Sequence, residues 1–331
     1  MPSRSASPPP TLADVAAAAG VSTATASRAL SGRGSASSHA RTEVLRAAAA
    51  LGYVPNPLAV SLARRRGHRI VIGFVATHEW MLADQYASRV ISAAARTAGE
   101  HGAGVSAAWI RPGDATGLAD LAGDRSVLGV LLVNHSRGLL DAAPAGLRGR
   151  IAVIGPGFDR VPSHDVDTPS AMRASLRHLV TGGRRRIAML TGPAWVPSMR
   201  RPYAAYRDGM AGHGWPVRTV AGGLSTASGR AGAVAALRRW PDLDAVVAST
   251  DLTALGVLEA LADSGRRVPD DVAVIGFDDV PLAQLGRPPL TTATHPVEQI
   301  VAGAVGTLLS GGADPGLAVV HRSALVPRRS A

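Results

Sequence analysis

The sequence predicts an N-terminal all-α helix-turn-helix domain followed by an α/β core of two doubly wound parallel-sheet lobes. Three observations predict it. Residues 11–51 hold short helical periodicities separated by Gly20 and by a Gly/Ser-rich stretch. From Arg69 onward, apolar runs of strand length alternate with helical stretches over short connections. Those runs are numerous enough for two sheets, and 331 residues suffice for two or three domains.

Residues 1–10, MPSRSASPPP, are rich in Pro and Ser and are expected to be disordered. Thr11 is a good N-cap, and Asp14 can answer its backbone in an approximate capping box. Leu12, Val15, Ala16 and Ala19 then share one helix face. Gly20 ends that helix, because Gly enters the left-handed conformation cheaply. Ser22 caps a second helix, with Ala26, Ala29 and Leu30 on its apolar face. Two short helices across a tight Gly turn make a helix-turn-helix whose second helix can enter the major groove of DNA. A third helix is expected over 38–51, with Val44, Ala48 and Leu51 inward. Residues 57–64 can form two helical turns, marginal alone in water. Arg65, Arg66 and Gly67 follow as a linker.

In the core, 70–75, 104–110, 127–133, 151–154, 187–190, 245–248 and 272–277 read as buried strands. Residues 88–99, 170–180, 200–211 and 253–263 read as helices. Open α/β sheets bind ligands at the carboxyl ends of their strands, which in a two-lobed protein is the cleft. Polar or aromatic residues there are effector candidates: Thr77, His78, Trp80, Asn134, Trp195, Arg200, Thr250 and Asp278. Asp251 reads as a helix N-cap, and His78, His101 and His164 as surface or cleft residues.

Composition narrows the class. Hydrophobic residues make up 46% but aromatics only 4%, so Ala, Val and Leu must fill the core. No uninterrupted apolar stretch reaches the roughly 18 residues a membrane span needs. The N-terminus has no apolar signal segment, and there is no Cys. A cytoplasmic protein is expected. The formal charge is +11, carried entirely by Arg without Lys. Residues 1–66 hold eight Arg against Asp14 and Glu43, so more than half of the net charge sits in the first fifth of the chain. That asymmetry suits a polyanion.

The run T-L-x-D-V-A-x-x-A-G-V-S-x-x-T-x-S-R from Thr11 to Arg28, then Thr42 and Val44, then L-G-Y-x-P-N from Leu51 to Asn56, resembles the LacI-type (lactose-repressor, GalR) transcription regulators. The likeness continues through Gly183–Ala188 (G-R-R-R-I-A), Asp251–Gly256 and Val268–Asp279, and through Pro289-Leu290-Thr291-Thr292. It implies a periplasmic-binding-protein-like core with three crossovers, near 167, 293 and 320. The implied domains are 11–57 for DNA, 58–68 as hinge helix and linker, and 69–331 as the effector-binding and dimerisation core. Lobe 1 would span about 69–166 and 295–319, and lobe 2 about 168–292 and 320–328.

Thr23 and Ala24 open the recognition helix, where side chains reach base edges. Ser22, Thr25 and Ser27 suit phosphates, and Arg28 suits guanine or a phosphate. Thr11, Ser37, Tyr53, Asn56 and Ala59 complete the expected DNA contacts, and the resemblance implies that Leu62 wedges into the minor groove. Four departures stand out. Val60 replaces an Arg common in the hinge, Pro202 occupies the usual ligand-arginine position, and Thr250 and Gly155 replace an Asn and an Asp. Asp278 matches the family's ligand-binding carboxylate.

The reading is a cytoplasmic, homodimeric repressor binding a pseudopalindromic operator and controlled by a sugar-like small molecule in the interlobe cleft. Its partners are operator DNA, the effector and a second copy, with no cofactor or metal expected. One alternative is an effector-independent DNA-binding regulator. Another is a periplasmic-type sugar-binding protein, disfavoured by the DNA-binding domain. An enzyme is disfavoured because no G-x-S-x-G, H-E-x-x-H, Walker A or G-x-G-x-x-G motif occurs.

Overall fold

A computed structural model describes residues 10–31, 37–54, 68–77, 85–311 and 314–331. The expected hinge helix and linker lie outside the described residues, as do Asn56, Ala59, Leu62, His78 and Trp80. The chain divides into two compact units, Met1–Arg66 and Gly67–Ala331.

The first unit holds α1 (Leu12–Ala18), α2 (Thr23–Ser31) and α3 (Ser38–Leu51). α1 starts with a reciprocal cap. The Thr11 N–H donates to Asp14 Oδ2 at 2.8 Å, and the Asp14 N–H donates to Thr11 Oγ1 at 3.3 Å. It ends because Gly20 takes φ +64°, which lets the Val21 N–H reach Ala16 O at 3.0 Å. Ser22 Oγ then accepts from the Thr25 N–H at 3.2 Å and starts α2 at once. Val15, Ala16, Ala26, Ala29, Val44 and Ala48 form the small buried core. Leu51, expected to face inward, is 40% exposed. Tyr53 packs against the core instead.

The second unit is built on two sheets. In the first, β2 (Gly104–Ile110), β1 (Arg69–Val75), β3 (Val127–Val133), β4 (Ile151–Ile154), β5 (Ser163–Val166) and β11 (Ala318–His321) lie in that order, all parallel. In the second, β7 (Thr219–Ala221), β6 (Ile187–Thr191), β8 (Ala245–Ala248) and β9 (Ala273–Ile275) are parallel. β10 (Thr292–Ala293) and β12 (Leu325–Val326) form an antiparallel ribbon.

Each sheet is covered on both faces, the arrangement parallel strands require. α4 (Gln85–Glu100) and α12 (Val297–Leu309) cover one face of the first sheet; α5 (Thr116–Gly123) and α6 (Arg137–Asp141) cover the other. On the second sheet, α7 (Thr168–Thr181) and α8 (Arg200–Gly212) face α9 (Thr226–Arg239), α10 (Asp251–Asp263) and α11 (Pro281–Leu285) across the strands. Both sheets are therefore doubly wound. Each reverses strand order once, between β1 and β3 and between β6 and β8, and such switch points open a crevice at the strand ends.

Two expectations about single residues are corrected. Asp251 is not the N-cap of α10: Thr250 is, its Oγ1 accepting from the Thr253 N–H at 3.2 Å. His164, expected at the surface or in the cleft, is 5% exposed within β5, and its Nε2 lies 3.1 Å from Thr307 Oγ1.

Candidate nucleic-acid interface and interlobe cleft

On the first unit, Ser22, Thr23, Ala24, Ser27 and Arg28 are exposed on α2, while Ala26 and Ala29 anchor its opposite face. Thr25 is half-buried and its hydroxyl lies 2.9 Å from that of Ser22. Arg28 Nε donates to Ala24 O at 3.1 Å, which lays the side chain back along the helix. Thr11 is exposed at the start of α1, and Ser37 caps α3 by accepting from the Ala40 N–H at 3.2 Å. Tyr53 is half-buried. The α2 face presents hydroxyls, a methyl and the start of a helix, groups suited to base edges and phosphates.

On the second unit, a cavity of about 120 Å³ opens between the sheets at their carboxyl ends. Asn134, Thr250 and Asp278 line it. Three other candidates do not. Thr77 is exposed and outside the lining, since its side chain is carried past the end of β1. Trp195 packs on the apolar cluster beside α5 and α6 that holds Val71, Leu118 and Leu139. Arg200 is exposed. Its neighbour Arg201 turns inward and pairs with Asp165 across the lobes, while Pro202 faces the cavity.

Asp278 sits at φ +115°, three residues after β9. Its Oδ1 lies 3.0 Å from His295 Nδ1. Stacking on Tyr86 at 5.2 Å and contact with Phe277 at 5.3 Å fix the His295 ring. Burial lowers the His295 pKa to about 4, with the Arg89 charge adding to the shift. The ring is therefore neutral near pH 7, and its Nδ1–H donates to the Asp278 carboxylate. Arg89, from α4, donates to Asp278 O at 3.0 Å and to both Glu298 oxygens, so it ties the first lobe to the Asp278 loop.

Beneath Asp278 lies Asp251, wholly buried, accepting from the Val280 N–H at 2.9 Å and from the Thr292 hydroxyl. Burial, then the Asp278 charge, raise its pKa to about 8. Asp251 therefore holds its proton near pH 7. Gly276 is required beside it, because a Cβ there would sit 2.2 Å from Asp251 Oδ1. Asp165 is likewise raised by burial, opposed by Arg201.

Sequence reasoning missed Gln85, Tyr86, Asp165, Thr168, Met199 and His295, all lining the cavity. Asp165 was hidden because β5 reads Ser-His-Asp-Val, without the apolar run that marks a buried strand. His295, followed by Pro296 just beyond β10, carried the one usable signal, a ring fixed at a strand end. Among the described residues, no cluster of three His, Asp or Glu could hold a metal ion, and no helix is long and apolar enough to cross a membrane.

Residues 11–56 match the pattern of bacterial regulatory proteins of the lacI family. Over 300 residues the chain is 34% identical to the HTH-type transcriptional regulator CelR of Thermobifida fusca, covering 87% of this chain and 88% of that one. The chain belongs to the lacI family. Residues 176–331 also match a periplasmic binding protein-like domain. A solved CelR–cellobiose complex is similar at 30% identity and a TM-score of 0.71, over 97% of this chain and 100% of that one. The lac repressor dimer bound to operator and the anti-inducer ONPF is similar at 25% identity and a TM-score of 0.84, over 98% and 99% of the two chains. This lacI-family chain thus has both the N-terminal helix-turn-helix and the two-lobed core, in one order and over nearly the full length of each relative.

Proposed function

We propose that this chain is a cytoplasmic transcriptional repressor. It binds a pseudopalindromic operator as a homodimer and is controlled by a sugar-class ligand in the interlobe cleft. The observation that carries the reading is a single chain holding an exposed α2 face beside an Arg-rich segment and, separately, a cavity around Asp278. Relatives of the same architecture are described with operator DNA and with cellobiose. A helix-turn-helix covers little surface alone, and two on a two-fold axis read a palindrome.

Thr23 and Ala24 are assigned to base edges, and Ser22, Thr25, Ser27 and Arg28 to phosphates or the neighbouring base. Thr11, Ser37, Tyr53, Asn56, Ala59 and Leu62 are assigned to the backbone and minor groove on family pattern. Asp278, Asn134 and Thr250 are assigned to the effector. The test is a binding-site selection on wild type and on a variant with residues 23 and 24 exchanged. A changed consensus is expected, at roughly 1–3 kcal/mol for each altered base pair. An unchanged consensus would remove Thr23 and Ala24 from base readout.

A further inference from the structure

α7 serves two concavities. Thr168, Ala171, Met172 and Ser175 line the cleft. Arg173, Leu176, Arg177 and Val180 turn away from it and form one side of a groove on the outer surface of the second lobe, with the end of α8 as the other side. The groove encloses about 250 Å³, against about 120 Å³ for the cleft cavity. Its floor is apolar: Leu176 and Met210 are buried, and Val180 is half-buried beside them. Gly209 leaves its part of the lining bare, and a Cβ there would lie 2.6 Å from Leu176 Cδ1. The Trp215 indole forms a wall, held by stacking on the His213 ring at 4.5 Å and 19°.

The rim is cationic. Arg173 and Arg177 lie four residues apart on α7 and so on one face of it. Arg173 Nη2 donates to Ser170 Oγ at 2.7 Å, and its charge also acts on Asp167. Arg177 is exposed and, among the described residues, has no hydrogen-bond or ion-pair partner. No Asp or Glu lines the groove among the described residues. A surface guanidinium alone marks nothing. Here one stands unanswered over an apolar floor and beside an aromatic wall.

We propose that this groove is a second ligand site, for a small aromatic carboxylate. The ring lies on the floor against the Trp215 indole, and the carboxylate meets the Arg177 guanidinium, with Arg173 adding charge. Burial over Leu176, Val180 and Met210 and offset stacking on the indole favour a flat apolar body. The methionine thioether adapts to a ring and contacts it favourably. The guanidinium fork matches a carboxylate bidentately. The volume lies below the roughly 300 Å³ at which ligand pockets begin, so the body is one or two rings. The groove is separate from the cleft, and its ligand does not depend on what the cleft binds.

The test is calorimetry on the full chain with benzoate, 2-naphthoate and indole-3-acetate, each beside its neutral primary amide, at one pH and ionic strength. At least one acid is expected to bind tenfold or more tighter than its amide. Arg177→Gln removes the charge at an exposed position and should bring that acid to within threefold of the amide. Trp215→Leu should weaken the acid at least fivefold, with the melting curve reporting that the variant folds. If no acid binds wild type with a Kd under about 1 mM, or if acids and amides bind alike, the groove takes no aromatic carboxylate. If Arg177→Gln keeps the full advantage of the acid, or a folded Trp215→Leu binds it as wild type does, the acid sits elsewhere and the assignment fails. Wild type and Arg177→Gln decide the matter even if Trp215→Leu does not fold.

Discussion

Asp251 and His295 give the cleft an opposed pH dependence. An aspartate held at about 8 in the folded chain but near 3.8 unfolded keeps its proton longer when folded. Its stabilisation is full below the unfolded value and is lost as pH rises toward 8. His295 and His135, both lowered to about 4, act the other way: their contribution is present above 6.5 and is lost as pH falls toward 4. Between pH 4 and 6.5 two histidines act against one aspartate, so the combined contribution of these three groups rises with pH; from 6.5 to 8 Asp251 acts against no such partner. The melting temperature should therefore decline from pH 6.5 to 8, and Asp251→Asn should flatten that decline; an unchanged slope would mean Asp251 is ionised when folded. Asp278→Asn keeps the size of the side chain and an acceptor for His295 Nδ1–H but removes the charge. The ligand response should be lost or weakened at least tenfold, with ligand-free operator affinity unchanged within twofold. Equal ligand affinity in both proteins would remove Asp278 from the site. Asp278 was legible because it follows a strongly apolar run; Asp251 was mistaken for a cap because a buried, protonated carboxyl leaves no mark in sequence.

At the scale of elements, the turn between α1 and α2 sets the recognition face. Nothing lies within 4 Å of a Cβ built on Gly20, yet its φ is +64°. The cost of Gly20→Ala is therefore backbone conformation alone, about 1 kcal/mol. Thermal unfolding of the first unit should shift by that amount, and operator affinity should fall with it. An unchanged melting curve would mean that the turn tolerates a right-handed residue. Long periodic or apolar segments were read to within a few residues, as for α3 and β1 to β3. β5 and β7 escaped because one is polar and the other has three residues. β11, whose residues alternate between exposed and half-buried at a sheet edge, escaped too. The second-lobe wall of the cavity was beyond sequence reading altogether. It comes from α7, β6, β8 and the turn before α8, segments that only the fold brings together.

At the scale of the molecule, the two units divide the labour by chemistry. The first carries a clustered positive charge and exposed hydroxyls; the second carries the cavity and the buried carboxyls. A ligand bound in the second can change operator affinity only by binding the two conformational states unequally, and the coupling is reciprocal. The charge arrangement makes operator affinity salt-dependent, so the comparison belongs at one fixed ionic strength. The most direct measurement is fluorescence anisotropy of the full chain on its selected operator, with and without each sugar of a panel of mono- and disaccharides, cellobiose included, at saturation. A change in Kd of at least about fivefold is predicted, the lower end of typical allosteric coupling. An identical Kd with every sugar of the panel would contradict effector control and leave a regulator that reads DNA without a sugar signal.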